Sequence, residues 1–455
     1  MVRSQRLMPS DGYHRSMPVV GLDDTDSRER GMCTTYVAVR IGERLAAAGF
    51  DVQRHLLVRC NPAVEHKTRG NAALALHVRG AEETPDSAAR QRCFDVARET
   101  ISELAATADT DANPGLIVAD TSPEAVPDEV AAFAETAVQG HHAIEDAVAL
   151  ADRFEYRHAG WGDGRGRIGA LAAVGAWRAN EDWTYERIAY RESARWGSER
   201  EVDRESVFEA AASGRTDVWD TVDRGTNTAV CVPRTPCPVL FGIRGDDPAA
   251  VEAVAKSIDS EPIDRAVTFV TNQGTDAHLQ NDPDGTLEDD RAYRVPATVT
   301  SSPETREGGH VFVSVRTSRN GSPTPDEGIE LPCVAFEPTK RFREHVRNLR
   351  PGDELTVCGE VSDGTLKLEK FAVRDLVETE TATPVCPDCE RTMESAGANQ
   401  GYRCRDCGTD APGPVERPID RDLDLGWYEV PPVARRHVAK PLIRGGFDAP
   451  THPEH

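Results

Sequence analysis

The sequence predicts an α/β multidomain chain that closes with a small β-barrel and a zinc ribbon. Three observations predict this class. The N-terminal third alternates strand-like and helix-like segments. From about residue 285 the pattern changes to short strands punctuated by turn signals. Near the C-terminus stand two C-x-x-C pairs with fourteen residues between them. A chain of 455 residues has room for several hydrophobic cores.

In chain order, PVVGL reads as a strand and TTYVAVRIGERLAAAGF as a helix. HLLVRC and ALALHVR read as strands, PDSAARQRCFDVARETISELAATA as a long amphipathic helix, and GLIVAD as a strand. PDEVAAFAETAVQGHHAIEDAVALADRF adds helix, and these segments make an α/β unit over 1–155. A second unit, 156–282, opens on the glycine-rich GWGDGRGRIGALAAVGAW. It continues through WTYERIAYR, PVLFGIRG, PAAVEAVAKSI and RAVTFVTN, an order compatible with a ferredoxin-like α+β domain. AYRVPATVT, GHVFVSVRT, ELPCVAFE, ELTVCGEV and TLKLEKFAV fit a five-stranded barrel of the OB-fold type over 283–378. VETETATP reads as a linker, and 379–455 holds the paired cysteines and a basic tail.

No run of about eighteen apolar residues is present, so no membrane span is expected. The opening MVRSQRLMPSDGYHRS lacks the apolar core of a signal peptide, which predicts a cytoplasmic protein. The formal charge of −24 taken alone argues against a nucleic-acid partner. Yet only six of the 53 basic residues are lysine. An acidic, lysine-poor, arginine-keeping composition resembles that of proteins from salt-loving archaea. There the acid excess serves solvation, and local basic clusters say more about partners than net charge does.

Cys386, Cys389, Cys404 and Cys407 have the spacing of a tetrahedral four-thiolate site for structural Zn2+. In the barrel, Lys340-Arg-Phe-Arg343 joins cations to the aromatic Phe342, a pattern suited to phosphate contact and base stacking. Arg435, Arg436 and Lys440 form a second basic patch. Asp23, Asp24 and Asp26 crowd the end of the first strand, where they would either hold a hard cation such as Mg2+ or cap the next helix. Lys67-Thr-Arg-Gly-Asn71 sets two cations beside a glycine, suiting a polyphosphate, and Asn61-Pro62 is expected at the same rim. The loop carrying Gly164 and Arg165 either offers backbone N–H groups to an anion or merely turns tightly. His278 closes a polar run as either a titrating or a structural histidine.

GLDDTDSRERGMCTTY, NPAVEHKTRGNAAL, GDGRGRIGALAAVGA, FVTNQGTDAH, FEPTKRFR and CPDCERTMESAGANQGYRCRDCG, in that order, closely resemble the archaeal isoleucine-tRNA agmatinylcytidine synthetases. The resemblance spans nearly the whole chain and implies a kinase-like domain, a ferredoxin-like domain, an OB fold and a zinc ribbon. It implies an ATP-dependent ligase acting on isoleucine tRNA with a CAU anticodon. ATP phosphorylates the carbonyl at position 2 of the wobble cytidine, and agmatine displaces the phosphate. Agmatidine, AMP and two phosphates result, and AUA is decoded. Carried over, Asp23, Asp24 and Asp26 match the carboxylates holding Mg2+ and ATP, and Thr34 matches a threonine that becomes phosphorylated. Lys67 and Arg69, with Gly70 and Asn71, match the phosphate-binding segment. His66 and Asp163 depart from the family pattern, where an aromatic residue and Asn are expected. An acidic pocket is expected for agmatine, with Asp223 and Asp276 as candidates. The rival readings are a non-catalytic RNA-binding protein built on the barrel and ribbon, and an ATPase or kinase acting on another small molecule.

Overall fold

The computed structural model describes residues 17–27, 29, 31–64, 70–80, 86–214, 217–281, 286–317 and 328–454. The predicted Lys67 and Arg69, and the divergent His66, lie outside the described residues.

The first unit contains β1 (Val19–Asp23), α1 (Thr34–Ala47), β2 (Asp51–Arg59), β3 (Ala72–Arg79), α2 (Asp86–Leu104), β4 (Gly115–Ala119), α3 (Asp128–Gln139), α4 (Ile144–Arg153) and β5 (Arg157–Gly160). Alternation along β1 explains its place. Val20 and Leu22 pack with α1 and α2, while Val19 packs on the opposite face. On α1, Val37, Ile41 and Leu45 recur every four residues and are buried. Helix α5 (Gly166–Ala179), expected to open the second unit, packs on β1 and β4 of the first. Its small residues permit close approach. A Cβ on Gly21 would lie 2.2 Å from the Ala170 carbonyl oxygen, and one on Gly115 would lie 2.0 Å from the Arg167 nitrogen.

The second unit adds β6 (Thr184–Arg191), α6 (Arg204–Ser213), β7 (Val218–Trp219), the hairpin β8 (Val222–Asp223) and β9 (Thr228–Ala229), β10 (Val239–Gly245), α7 (Pro248–Lys256) and β11 (Ile263–Thr271). It does not build a separate sheet. β11 pairs in parallel with β2, giving one sheet in the order β5-β4-β1-β3-β2-β11-β6-β10-β7.

After β12 (Leu279–Gln280), the strands β13 (Arg291–Val299), β14 (Glu304–Thr305), β15 (Val311–Thr317), β16 (Glu330–Ala335), β17 (Glu354–Ser362) and β18 (Thr365–Asp375) follow. Five of them close a ring, β13-β15-β16-β18-β17 and back to β13. The Asp363-Gly364 turn joins β17 to β18 with both residues at positive φ, as the hairpin signal in the sequence requires. Helix α8 (Phe342–Arg347) buries Phe342 in the barrel core.

The zinc-ribbon segment is an excursion from this barrel. The chain leaves through 379–382, which pairs with the returning 415–418. It then resumes the barrel sheet at Gly426–Glu429, paired with β18. The remaining tail runs back across the body. Among the described residues no helix is long and apolar enough to cross a membrane.

Candidate active site

β1 and β2 are both antiparallel to β3, so their C-terminal ends open on the same side. There a cavity of about 480 Å³ forms against β6, β10, the loop after β9 and the tail. Its walls include Asp23, Asp24, Asp26, Thr34, Gly70, Asn71 and Arg165, all named from the sequence.

The three aspartates are packed by the local fold. Asp24 takes a left-handed conformation, φ +58°, which turns the chain out of β1. Its N–H donates to Asp23 Oδ1 at 2.7 Å, and its own Oδ2 accepts the Asn113 N–H at 3.0 Å. Thr34 Oγ1 reaches Asp26 Oδ1 at 3.5 Å. Burial, reinforced by the neighbouring Asp24 and Asp26 charges, pushes the Asp23 carboxyl well above the ordinary carboxylate range. The position capping α1 is Cys33, not an aspartate. Hard oxygen donors whose charges raise one another's proton affinity fit a divalent cation such as Mg2+.

The glycine-rich loop corrects one expectation. The amides of Asp163 to Gly166 are already used within the protein rather than left open to an anion. The Asp163 N–H donates to Asn113 Oδ1, Gly164 N–H to the Trp161 carbonyl, Arg165 N–H to Asp163 Oδ1, and Gly166 N–H to the Asn113 carbonyl. Gly164 serves a tight turn at φ +72°. The divergent Asp163 faces a cation, since its carboxylate pairs with Arg165 at 3.1 Å. Asn61 is also structural. It is buried and braces the carbonyls of Gly140 and Asp290 at 3.1 and 2.9 Å.

Family models described as the TiaS TCKD domain, the TiaS FLD domain and the TiaS C-terminal zinc ribbon domain match residues 19–163, 164–278 and 383–423. The isoleucine-tRNA 2-agmatinylcytidine synthetase TiaS of Haloquadratum walsbyi is 53% identical over 96% of this chain and 100% of that relative. The chain belongs to the TiaS family. Among solved structures, the complex of TiaS with its isoleucine tRNA and ATP is similar at a TM-score of 0.85 and 40% identity, over 96% of this chain and 100% of that one. The complex of TiaS with the same tRNA, AMPCPP and agmatine is similar at 0.83 and 38% identity, with the same coverage.

In this TiaS-family chain the expected nucleic-acid residues divide. Phe342 is fully buried and stacks no base; it fills the barrel core 5.5 Å from Phe371. The Arg435 side chain is 3% exposed and bonded to Asp220 and Glu429, so it ties the tail to the body. Arg343 turns inward to the Gly309 carbonyl. Arg341 bridges Asp223 and Glu454, and Arg436 bridges Glu360 and the Pro62 carbonyl. Lys440 lies part-buried beside Phe447. Lys340 is exposed, although paired with Glu337 at 2.6 Å. The agmatine candidates fare no better. Asp223 pairs with Arg341, and Asp276 with the buried Lys370 at 2.7 Å, so both carboxylates already have cations. His278 is structural, buried and 3.1 Å from Glu369.

The cavity holds residues the sequence reading missed. Arg59, Glu186, Arg244 and His437 line it from β2, β6, β10 and the tail. No local motif marks them, because only the shared sheet and the returning tail bring them together.

The four ribbon cysteines place their Sγ atoms within 4.8 Å of one another, and four thiolates fit Zn2+. Chelation is expected to melt this excursion alone, because its neck pairs outside the barrel ring. Melting followed by calorimetry should keep the main transition unchanged, while tRNA affinity falls about tenfold or more.

Proposed function

We propose that the cavity joins agmatine to C2 of the wobble cytidine of isoleucine tRNA with a CAU anticodon, at the expense of ATP. The observation that carries this reading is the meeting of the aspartates, Thr34 and Arg165 in one cavity of a TiaS-family chain. Relatives bear the name of isoleucine-tRNA 2-agmatinylcytidine synthetase, and related structures are complexes with that tRNA, ATP and agmatine.

Carbonyl oxygen leaves poorly, and a phosphoryl group on it turns it into a good leaving group. The amine nitrogen then forms the C–N bond at C2, the C–O bond breaks, and phosphate departs. Bound Mg2+ would supply Lewis-acid stabilisation of the transferring phosphoryl group. Asp23, Asp24 and Asp26 would hold it, Arg165 would meet phosphate, and Thr34 would offer its hydroxyl beside Asp26. The exposed Lys340 and the ribbon would grip the tRNA outside its anticodon. The first unit is read as kinase-like. The second is read as ferredoxin-like, because its strand order β11-β6-β10-β7 interleaves two β-α-β halves.

Glu186 is the seat proposed for the cationic amine. Among the described residues it is the one lining carboxylate outside the aspartate cluster. It is 8% exposed, accepts from Gln273 Nε2 at 2.5 Å, and has no ion-pair partner among the described residues. Purified protein incubated in high salt with ATP, Mg2+, unmodified CAU-anticodon tRNA and labelled agmatine should place label at the wobble base. Protein that binds the tRNA but incorporates nothing would sink the reading. Glu186→Gln should raise KM for agmatine by about 10- to 100-fold, the worth of one hydrogen bond to a charged group, and leave KM for ATP unchanged.

A further inference from the structure

We propose that Arg59, Arg244 and His437 form a second phosphate-binding seat in the cavity, separate from the aspartate end. The inference rests on the reading of the cavity as the catalytic site.

Arg59 ends β2, two strands from Asp23 in the sheet, a separation of about 10 Å. Among the described residues its guanidinium reaches the Gly70 carbonyl and Gln273 Oε1, both at 3.3 Å. Among the described residues its Nε is sealed from solvent with no hydrogen-bond partner, and the Glu186 carboxylate acts on it without an ion-pair contact. Buried arginines elsewhere in this chain are paired closely. Arg191 meets Glu261 at 2.7 Å and Arg421 meets Asp353 at 2.7 Å. Arg59 is part-buried, and its neighbouring carboxylate Glu186 stands beyond ion-pair contact, so a ligand anion can supply the missing close counter-charge.

Arg244 repeats the pattern. It is 5% exposed; among the described residues its one ion-pair carboxylate, Asp220, stands 3.8 Å away and is already bonded to Arg435, while Glu186 faces it across the neighbouring strand. The tail delivers His437 beside them. Its carbonyl accepts the Gly274 N–H at 2.8 Å, and its ring faces the cavity. The Arg59 charge above all, with the Arg244 charge behind it, holds the imidazole well below its ordinary value, which places the ring beside both guanidinium groups. Gly70 keeps the approach open, since a Cβ there would lie 2.6 Å from Arg59 Nη1 and 3.2 Å from the His437 ring. Two guanidinium forks and a neutral imidazole donor suit a phosphate group. ATP carries one kind, and the backbone of an extruded nucleotide carries another.

The two sources separate by direct binding, which needs no turnover. Affinities for ATP with Mg2+ and for an anticodon stem-loop RNA bearing CAU would be measured by calorimetry in high salt. Wild type, Arg59→Gln and Arg244→Gln would be compared, each with its melting temperature. At unchanged melting temperature, both variants should lose about tenfold in affinity for one probe. Loss confined to ATP assigns the seat to the polyphosphate, and loss confined to RNA assigns it to the nucleotide backbone. Affinities for both probes within twofold of wild type in both variants overturn the seat. So do losses that appear only where the melting temperature falls. Failure of agmatine incorporation by the wild type would refute the catalytic reading and leave these affinities still measurable.

Discussion

Asp24→Asn is expected to lower agmatine incorporation by about 10³-fold, roughly 4 kcal/mol of transition-state stabilisation, while tRNA affinity stays at the wild-type level. The substitution is chosen for the backbone. Asp24 sits at φ +58°, a conformation that Asn tolerates and Ala does not. Asn also keeps an oxygen for the Asn113 N–H, which now bonds Asp24 Oδ2 at 3.0 Å. The loop therefore survives and only the charge is lost. A readout independent of turnover is available. Burial and neighbouring charge hold the Asp23 carboxyl above its ordinary value, and a bound divalent cation favours its ionised form. Mg2+ should therefore raise the melting temperature of the wild type and release protons on binding. Asp24→Asn should show neither effect. An active variant with intact Mg2+ binding would return the aspartates to a structural role.

Gly169→Ala is expected to separate stability from activity. Gly169 lies within α5, where Ala is favoured over Gly by about 1 kcal/mol. Its added Cβ, however, would stand 1.9 Å from Asp23 Oδ2 and 2.9 Å from the Asp23 Cβ. The carboxylate must swing away. Displacing a reacting group by about 1 Å costs on the order of 10²-fold. The expected variant is a folded protein that binds tRNA, loses at most about 1–3 kcal/mol to overpacking against the helix gain, and turns over about 100-fold more slowly. Wild-type turnover would show that Asp23 takes no part in the chemistry.

Much of the fold was legible because it depends on local patterns. The apolar run of Val19 to Leu22, the four-residue spacing on α1, the Asp363-Gly364 turn and the C-x-x-C pairs each announce one element. The aspartates were legible for the same reason, being neighbours in sequence. What could not be read depends on distant partners. Nothing in IDRAVTFVT says that β11 will join β2 and fuse two units into one sheet. The helix from Gly166 announces itself by pattern, but nothing local says that its small residues will fit the groove over Gly21 on the first unit's strands. Basic clusters misled most. Arg435 and Phe342 sit in runs that resemble nucleic-acid patches, but buried carboxylates and the barrel core claim them. Arg59, Arg244 and Glu186 went unnoticed because single charged residues in strands carry no signature until the cavity assembles around them.

The ribbon's departure from the barrel makes it an exchangeable tool head. Its two connections run side by side, with the Ile419 N–H donating to the Glu378 carbonyl at 2.9 Å. A short turn can bridge that gap, so the excursion can be swapped for another module without moving the strand at Gly426–Glu429 or the tail that brings His437 to the cavity. Chimeras cut at this junction would change the attachment and leave the workshop untouched.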